Sequence, residues 1–439
     1  MFFPTLIPIS LKKREARKPM KKVMITLLES FIILTIMIGL GGCDTESKFE
    51  PYSMDYQFGY DHQRYLDSLS GIGMNFAQSK DGYYLSNGNY LYYMDKSSLS
   101  PTILCNKPNC LHNAETDEQK KRDCTAYVPG GIRGLQYYGD NLYYLEEVIE
   151  ESGSTYTALK KAALDGTYLE ELYRFYQHPQ ALVFHRGYFY VSYPNYEEES
   201  DGLTASSFEL IQIDINNKNE KILYTNELQS PIIDQVNAYG KYLYFHVNGY
   251  QVSGEQYDPA TGAGMVSKLI CYDLENDHYT EVETIDGATT GYLAITEESL
   301  VFSCWHFDYN DQRNRIIYQT DLDGSNLREF MTVEPTTCNI MWDGTYYYVD
   351  NSPLVTNAQR EDITRTVWVY DANKTLVSTF DFTNVDGVDM SEGMVLPLKM
   401  SDDYIFAVDF GSDFNANSFI YIDKSELKDG NISPHKVTF

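Results

Sequence analysis

The chain has 439 residues, is 43% hydrophobic and 14% aromatic, holds 39 Tyr against 3 Trp, and carries a formal charge of −29. So much apolar and aromatic content excludes a disordered chain, and so acidic a body repels nucleic acid and anionic headgroups, which excludes DNA or RNA as a partner. The tyrosine excess points to β structure, where an aromatic ring fills a core while its hydroxyl reaches a polar edge.

In chain order, a basic flank at 12–22 and an apolar run at 23–40, interrupted by Glu29, lead to Leu40-Gly41-Gly42-Cys43-Asp44. A basic flank, an apolar core and small residues before a cleavage point describe a secretory signal. With an acid inside it, the run is shorter than the roughly 20 apolar residues of a membrane span. Met20-Lys21-Lys22 is a compact basic start, so translation can also begin at Met20. Leu40-Gly41-Gly42-Cys43 resembles the lipobox of bacterial lipoproteins. The resemblance implies that residues 1–42 are a signal peptide and that Cys43 carries a diacylglycerol and a further acyl chain such as palmitate. Lipid on Cys43 then makes the membrane a partner and holds the protein on the outer face of the cytoplasmic membrane. Seven of the 34 basic residues and two of the 63 acids lie in 1–42, so the mature chain carries −34. Residues 43–73 read as the lipidated cysteine and a polar tether, acidic over 44–67, and residues 74–439 as the body.

From residue 74 a turn followed by an aromatic strand recurs at separations of roughly 45–60 residues. Its copies are Ser86-Asn87-Gly88-Asn89-Tyr90-Leu91, Tyr138-Gly139-Asp140-Asn141-Leu142, His185-Arg186-Gly187-Tyr188-Phe189, Tyr239-Gly240-Lys241-Tyr242-Leu243, Thr296-Glu297-Glu298-Ser299-Leu300, Trp342-Asp343-Gly344-Thr345-Tyr346 and Ser401-Asp402-Asp403-Tyr404-Ile405. Third strands follow at 209–214, 268–273, 315–320 and 367–371. They end in runs such as Asn216-Asn217-Lys218-Asn219 and Asp371-Ala372-Asn373-Lys374, whose residues accept the positive φ of tight hairpins, and 327–333 and 376–382 read as fourth strands. Four antiparallel strands cannot bury both faces alone, whereas radial stacking covers each sheet with its neighbours. The chain therefore predicts an all-β propeller of four-stranded blades, seven in number. These repeats behind a lipoprotein leader resemble the lipoprotein propellers of Gram-positive bacteria, with repeats similar to those of the low-density-lipoprotein-receptor and TolB propellers.

Beside Cys43 there are six cysteines. Cys105, Cys110, His112 and Cys124 follow the first repeat with spacing Cys-x4-Cys-x-His-x11-Cys. Three thiols and an imidazole suit a structural Zn ion. A disulfide from Cys105 or Cys110 to Cys124 suits an oxidising compartment equally, and free thiols are the third reading. Cys271, Cys304 and Cys338 sit in or beside apolar strands and read as core residues. Asp321-Leu322-Asp323-Gly324-Ser325-Asn326 resembles the opening of a calcium loop but has Thr332 at the twelfth position, so it reads as a hairpin. His185, His246 and His306 lie in or near second strands, where a semi-polar strand site competes with convergence on the axial channel. Gly-x-Ser-x-Gly, His-Glu-x-x-His and Gly-Lys-Ser/Thr motifs do not occur. These readings predict a monomeric, non-enzymatic envelope module whose Tyr-rich, acidic face binds a glycan, peptide or protein. The alternatives are an extracellular hydrolase or lyase acting on polysaccharide or peptide, and a structural subunit of an envelope complex.

Overall fold

The structure is a computed structural model that describes residues 49–63, 75–199, 202–250, 264–285, 288–306, 311–334, 339–350, 366–381, 385, 394–410, 416–428 and 432–439. Residues 51–439 form one compact unit. The leader, Cys43 and Cys338 lie outside the described residues.

Seven four-stranded antiparallel sheets follow one another along the chain, each built from four consecutive strands. Blades 1 to 7 span 76–103, 133–175, 181–226, 229–281, 289–332, 339–381 and 394–437. First strands of neighbouring blades touch, as Phe76–Gln78 does Arg133–Tyr138 and Thr289–Ile295 does Asn339–Trp342, so they lie nearest the axis. Fourth strands lie at the rim: all four residues of His278–Glu281 are exposed.

Strands apolar on both faces, which no isolated sheet could bury, are explained by the packing. One hydrophobic cluster fills each gap between blades: Tyr84 and Tyr144 between 1 and 2, Tyr143 and Phe189 between 2 and 3, Tyr190 and Phe245 between 3 and 4. Tyr244 and Phe302 fill the next gap, followed by Val301 with Val349 and by Tyr348 with Ile420. Blade 7 returns to blade 1 through Phe406 against Phe76, ring centroids 4.8 Å apart, and against Tyr83 at 4.9 Å. This is a seven-bladed β-propeller, closed by side-chain packing between blades that share no strand.

The repeat reading was in phase for six blades and one strand late for the first. In blades 2 to 7 the marked turn joins first strand to second; in blade 1 that hairpin is Ser79–Gly82, and Gly88-Asn89 joins second strand to third. Both turns are short and followed by a tyrosine, Tyr83 or Tyr90, so local pattern could not separate them. In Asp321–Asn326, Gly324 and Asn326 have φ of 86° and 60°, and the Asp323 carboxylate accepts from Ser325 N, which makes this run the hairpin into the fourth strand Arg328–Thr332. Cys271 and Cys304 are buried in their strands, as core residues should be.

Candidate metal centre

Leu104 continues the outer edge of blade 1, its N–H donating to Leu91 O, and delivers Cys105 at the mouth of the 104–132 connection to blade 2. A turn with Asn109 at φ 62° brings Cys110 back. Tyr90 Oη then holds His112 through its carbonyl at 2.9 Å. The four-residue helix Glu118–Lys121, capped by the Asp117 carboxylate on Gln119 N and Lys120 N, returns the chain to Cys124. Residues 126–128 close the loop on blade 1, with Leu91 N bonded to Ala126 O and Val128 N to Asn89 O. Backbone pairing at both ends thus fixes where the four side chains meet.

The ligand atoms of Cys105, Cys110, His112 and Cys124 all lie within 4.8 Å of one another, so the quartet could hold a metal ion. Among the described residues it is the one such group of His, Cys and acidic side chains. All three cysteines are free thiols, and Cys124 Sγ lies 3.6 Å from His112 Nδ1. Tetrahedral Zn–S bonds of about 2.3 Å put sulfurs roughly 3.8 Å apart, a spacing of this size. Burial works against the Cys105 thiolate. The Thr125 hydroxyl, the N–H groups of Lys107 and Thr125 and the Cys124 thiol nevertheless bring it down to about 7. Burial pushes Cys124 up to about 12, with its two thiol neighbours adding to the shift. A cation placed among them would reverse that penalty, because a coordinating thiol gives up its proton.

Cys105 and Asn106 also form one wall of a cleft of about 500 Å³ between blades 1 and 2, lined by Asp81, Tyr84, Tyr93, Tyr137, Asp140 and Asp165 among others. The Ala163–Tyr168 hairpin reaches this wall because Gly166, at φ 69°, has no Cβ to meet Leu104 O.

The three histidines occupy different places. His185 ends the first strand of blade 3, where Nδ1 accepts from His62 N at 3.3 Å and Nε2–H donates to Gly240 O at 2.7 Å. Burial holds it down at about 4, hence neutral, despite the Asp61 carboxylate 3.6 Å away. His246 is in the second strand of blade 4, directly opposite Asp234, and His306 follows the second strand of blade 5; each has a buried Nε2 without a hydrogen-bond partner among the described residues. Asp234 is half-buried in the first strand of blade 4, beside a bulge, and burial raises its carboxyl to about 6.

Sequence reasoning missed one heavily bonded residue of the body. Arg186, 3% exposed, donates Nε to Asp61 Oδ1 and one Nη to Asp61 Oδ2 at 2.9 Å, and its guanidinium also donates to the carbonyls of Pro51, Ser53 and Asp55. Residues 51–63, read as part of a tether, are thereby packed across the hairpins of blades 2, 3 and 4: Gly139 N bonds Gly59 O and Arg186 N bonds Tyr60 O. The available signal was an arginine in a tight turn where the copies in blades 2, 4, 5, 6 and 7 carry Gly139, Gly240, Glu297, Asp343 and Asp402.

No family model matches this chain, and no curated protein does. Solved structures do. The tricorn protease matches with a TM-score of 0.50 at 9% identity, over 88% of this chain and 36% of that one. A prolyl endopeptidase, from a study of two such enzymes, matches with a TM-score of 0.51 at 11% identity, over 85% and 50%. The propeller domain of the Trilobed protease from Pyrococcus furiosus matches with 0.42 at 14% identity, over 69% and 84%. This chain spans about a third to a half of the first two proteins, and at such identity the likeness is one of fold. The expectation of a non-enzymatic binding module is corrected by the tricorn protease and prolyl endopeptidase matches, and the hydrolase alternative is carried forward.

Proposed function

We propose that this chain is the propeller body of a peptide-hydrolysing protein, in which Cys105, Cys110, His112 and Cys124 hold a structural zinc ion. Peptide as substrate class is taken from the protease and prolyl endopeptidase that share the fold. The observation that carries the hydrolytic reading is Asp234: a carboxyl held near 6 on an innermost strand is matched to proton transfer at neutral pH. It is the last regular ladder position before a bulge, and its register partner His246 is a neutral imidazole, held down at about 4 by burial. In this reading Asp234 takes a proton from the attacking water and returns it to the leaving amine. Zinc in the quartet would neutralise the thiolates and pin the 104–132 connection; four protein ligands leave it no open position for chemistry.

The experiment is mass spectrometry of an unstructured peptide mixture incubated with the full chain. Cleavage lost on Asp234→Asn, with an unchanged unfolding midpoint, is the expected result. Absence of cleavage by the parent chain, or full activity in the variant, refutes the reading.

Signal cleavage before Cys43, lipidation of Cys43 and residence on the outer face of a Gram-positive cytoplasmic membrane belong to the same proposal, supported by the Leu40-Gly41-Gly42-Cys43 sequence. So does kinship of the repeats with the low-density-lipoprotein-receptor and TolB propellers.

A further inference from the structure

We infer that the cleft between blades 1 and 2 is a binding site for an organic cation, the guanidinium or ammonium of a basic side chain. The choice of a peptide as its carrier rests on the function proposed above; the cation does not.

The cleft, about 500 Å³ in volume, is of the size that takes a small ligand. Three tyrosine rings line it, and their hydroxyls are already committed: Tyr84 donates to Leu164 O at 3.1 Å, Tyr93 to Asp81 O at 3.2 Å and Tyr137 to Asp140 Oδ1 at 2.7 Å. Tyr84 and Tyr137 are nearly buried, so the ring surface left to attract a cation is chiefly that of half-buried Tyr93. Asp81, Asp140 and Asp165 come from three separate hairpins, of blade 1 and twice of blade 2, and none is in an ion pair among the described residues. Lys80 is the one cation in the lining, against three carboxylates. Their field reaches the interior: after burial and Tyr93, the charges of Asp81 and Asp165 raise the Tyr84 hydroxyl, and after burial Asp140 raises that of Tyr137.

A bare metal ion is the poorer occupant. It needs donor atoms that converge on a point, and among the described residues the Cys/His quartet is the one group that does so. A guanidinium spreads its charge over a plane, so separated carboxylates and ring surfaces suit it.

The test is calorimetric titration of the zinc-loaded full chain with acetyl-Gly-Arg-Gly-amide and with its neutral citrulline counterpart, at about 0.15 M ionic strength to screen the net charge. The arginine peptide is expected to bind at least about tenfold tighter than the citrulline peptide, a preference of the size that charge and ring contacts supply. Asp81→Asn, at an exposed carboxylate with no side-chain hydrogen bond among the described residues, should cut that preference, and adding Asp140→Asn and Asp165→Asn to make the triple cleft variant should abolish it. Asp371→Asn, in a hairpin of blade 6, should leave it intact. Equal binding of the two peptides, no binding, or full preference in the triple cleft variant overturns the inference. Repeating the titration on Asp234→Asn separates the two readings, since cation binding there persists whether or not the parent chain cleaves peptides.

Discussion

At the scale of residues, Arg186 and Asp61 form a bidentate pair with both side chains about 2% exposed. A buried pair of this kind is weak evidence for net stability, yet removing one partner strands the other charge out of water, at about 3–5 kcal/mol. Arg186→Ala should therefore lower the unfolding free energy by roughly that amount in urea titrations, and the double variant Arg186→Met, Asp61→Leu should regain most of it. A loss below about 1 kcal/mol in the single variant, the level of an exposed pair, would show that water reaches Asp61. Nothing local announced the pair, because its members are 125 positions apart. The sequence shows a polar stretch before the repeats and a cation in a hairpin; only the ring brings hairpins of three blades together, so that one guanidinium can bind carbonyls and a carboxylate on a single crossing segment.

At the scale of elements, hairpins and third strands were legible because both rest on short-range rules. Asn, Asp and Gly tolerate positive φ, as at Gly139 and Asp140 with 53° and 58°, and the two fourth strands named in advance are Arg328–Thr332 and Leu376–Asp381. The bulges in first strands, between Arg133 and Gln136, Asp234 and Asn237, Thr290 and Leu293, and Leu396 and Lys399, were not legible. They recur at the same place in blades 2, 4, 5 and 7, where strands crowd the axis, and no residue type demands them. The quartet at 105–124 was legible as a set of donors and ambiguous as chemistry, since spacing alone permits zinc, a disulfide or free thiols. Zinc is checked by atomic absorption and thiol titration: one equivalent per chain, with three thiols protected until a chelator is added. Cys124→Ser should weaken zinc by well over the roughly 10–100-fold that loss of an outer-shell partner costs. A metal-free chain whose three thiols react at once would leave the connection held by backbone pairing alone.

At the scale of the molecule, ring closure depends on the seam between blades 7 and 1, because each blade uses four consecutive strands and no strand is shared. Phe406 is fully buried there against Phe76 and Tyr83. Phe406→Ala should cost about 3–5 kcal/mol, and hydrogen exchange should speed up first in Phe76–Gln78 and Ala416–Asp423, on either side of the seam. Exchange that rises evenly in all seven blades would mean the ring opens as one cooperative unit.

By itself the sequence determined that the chain is built of β-strands, that a unit of four recurs seven times and that three thiols and an imidazole lie close along the chain. Each of these follows from short-range physics: tyrosine-rich strands, turn conformation, and apolar faces that demand a partner. The tertiary structure alone decided which hairpins meet across the ring, that residues 51–63 are buried against them, that Asp234 sits half-buried at a bulge, and that three carboxylates and three tyrosines enclose a cleft. Those groups lie tens to hundreds of positions apart, and their burial, which sets their charge and reactivity, exists only once the blades have closed on one another.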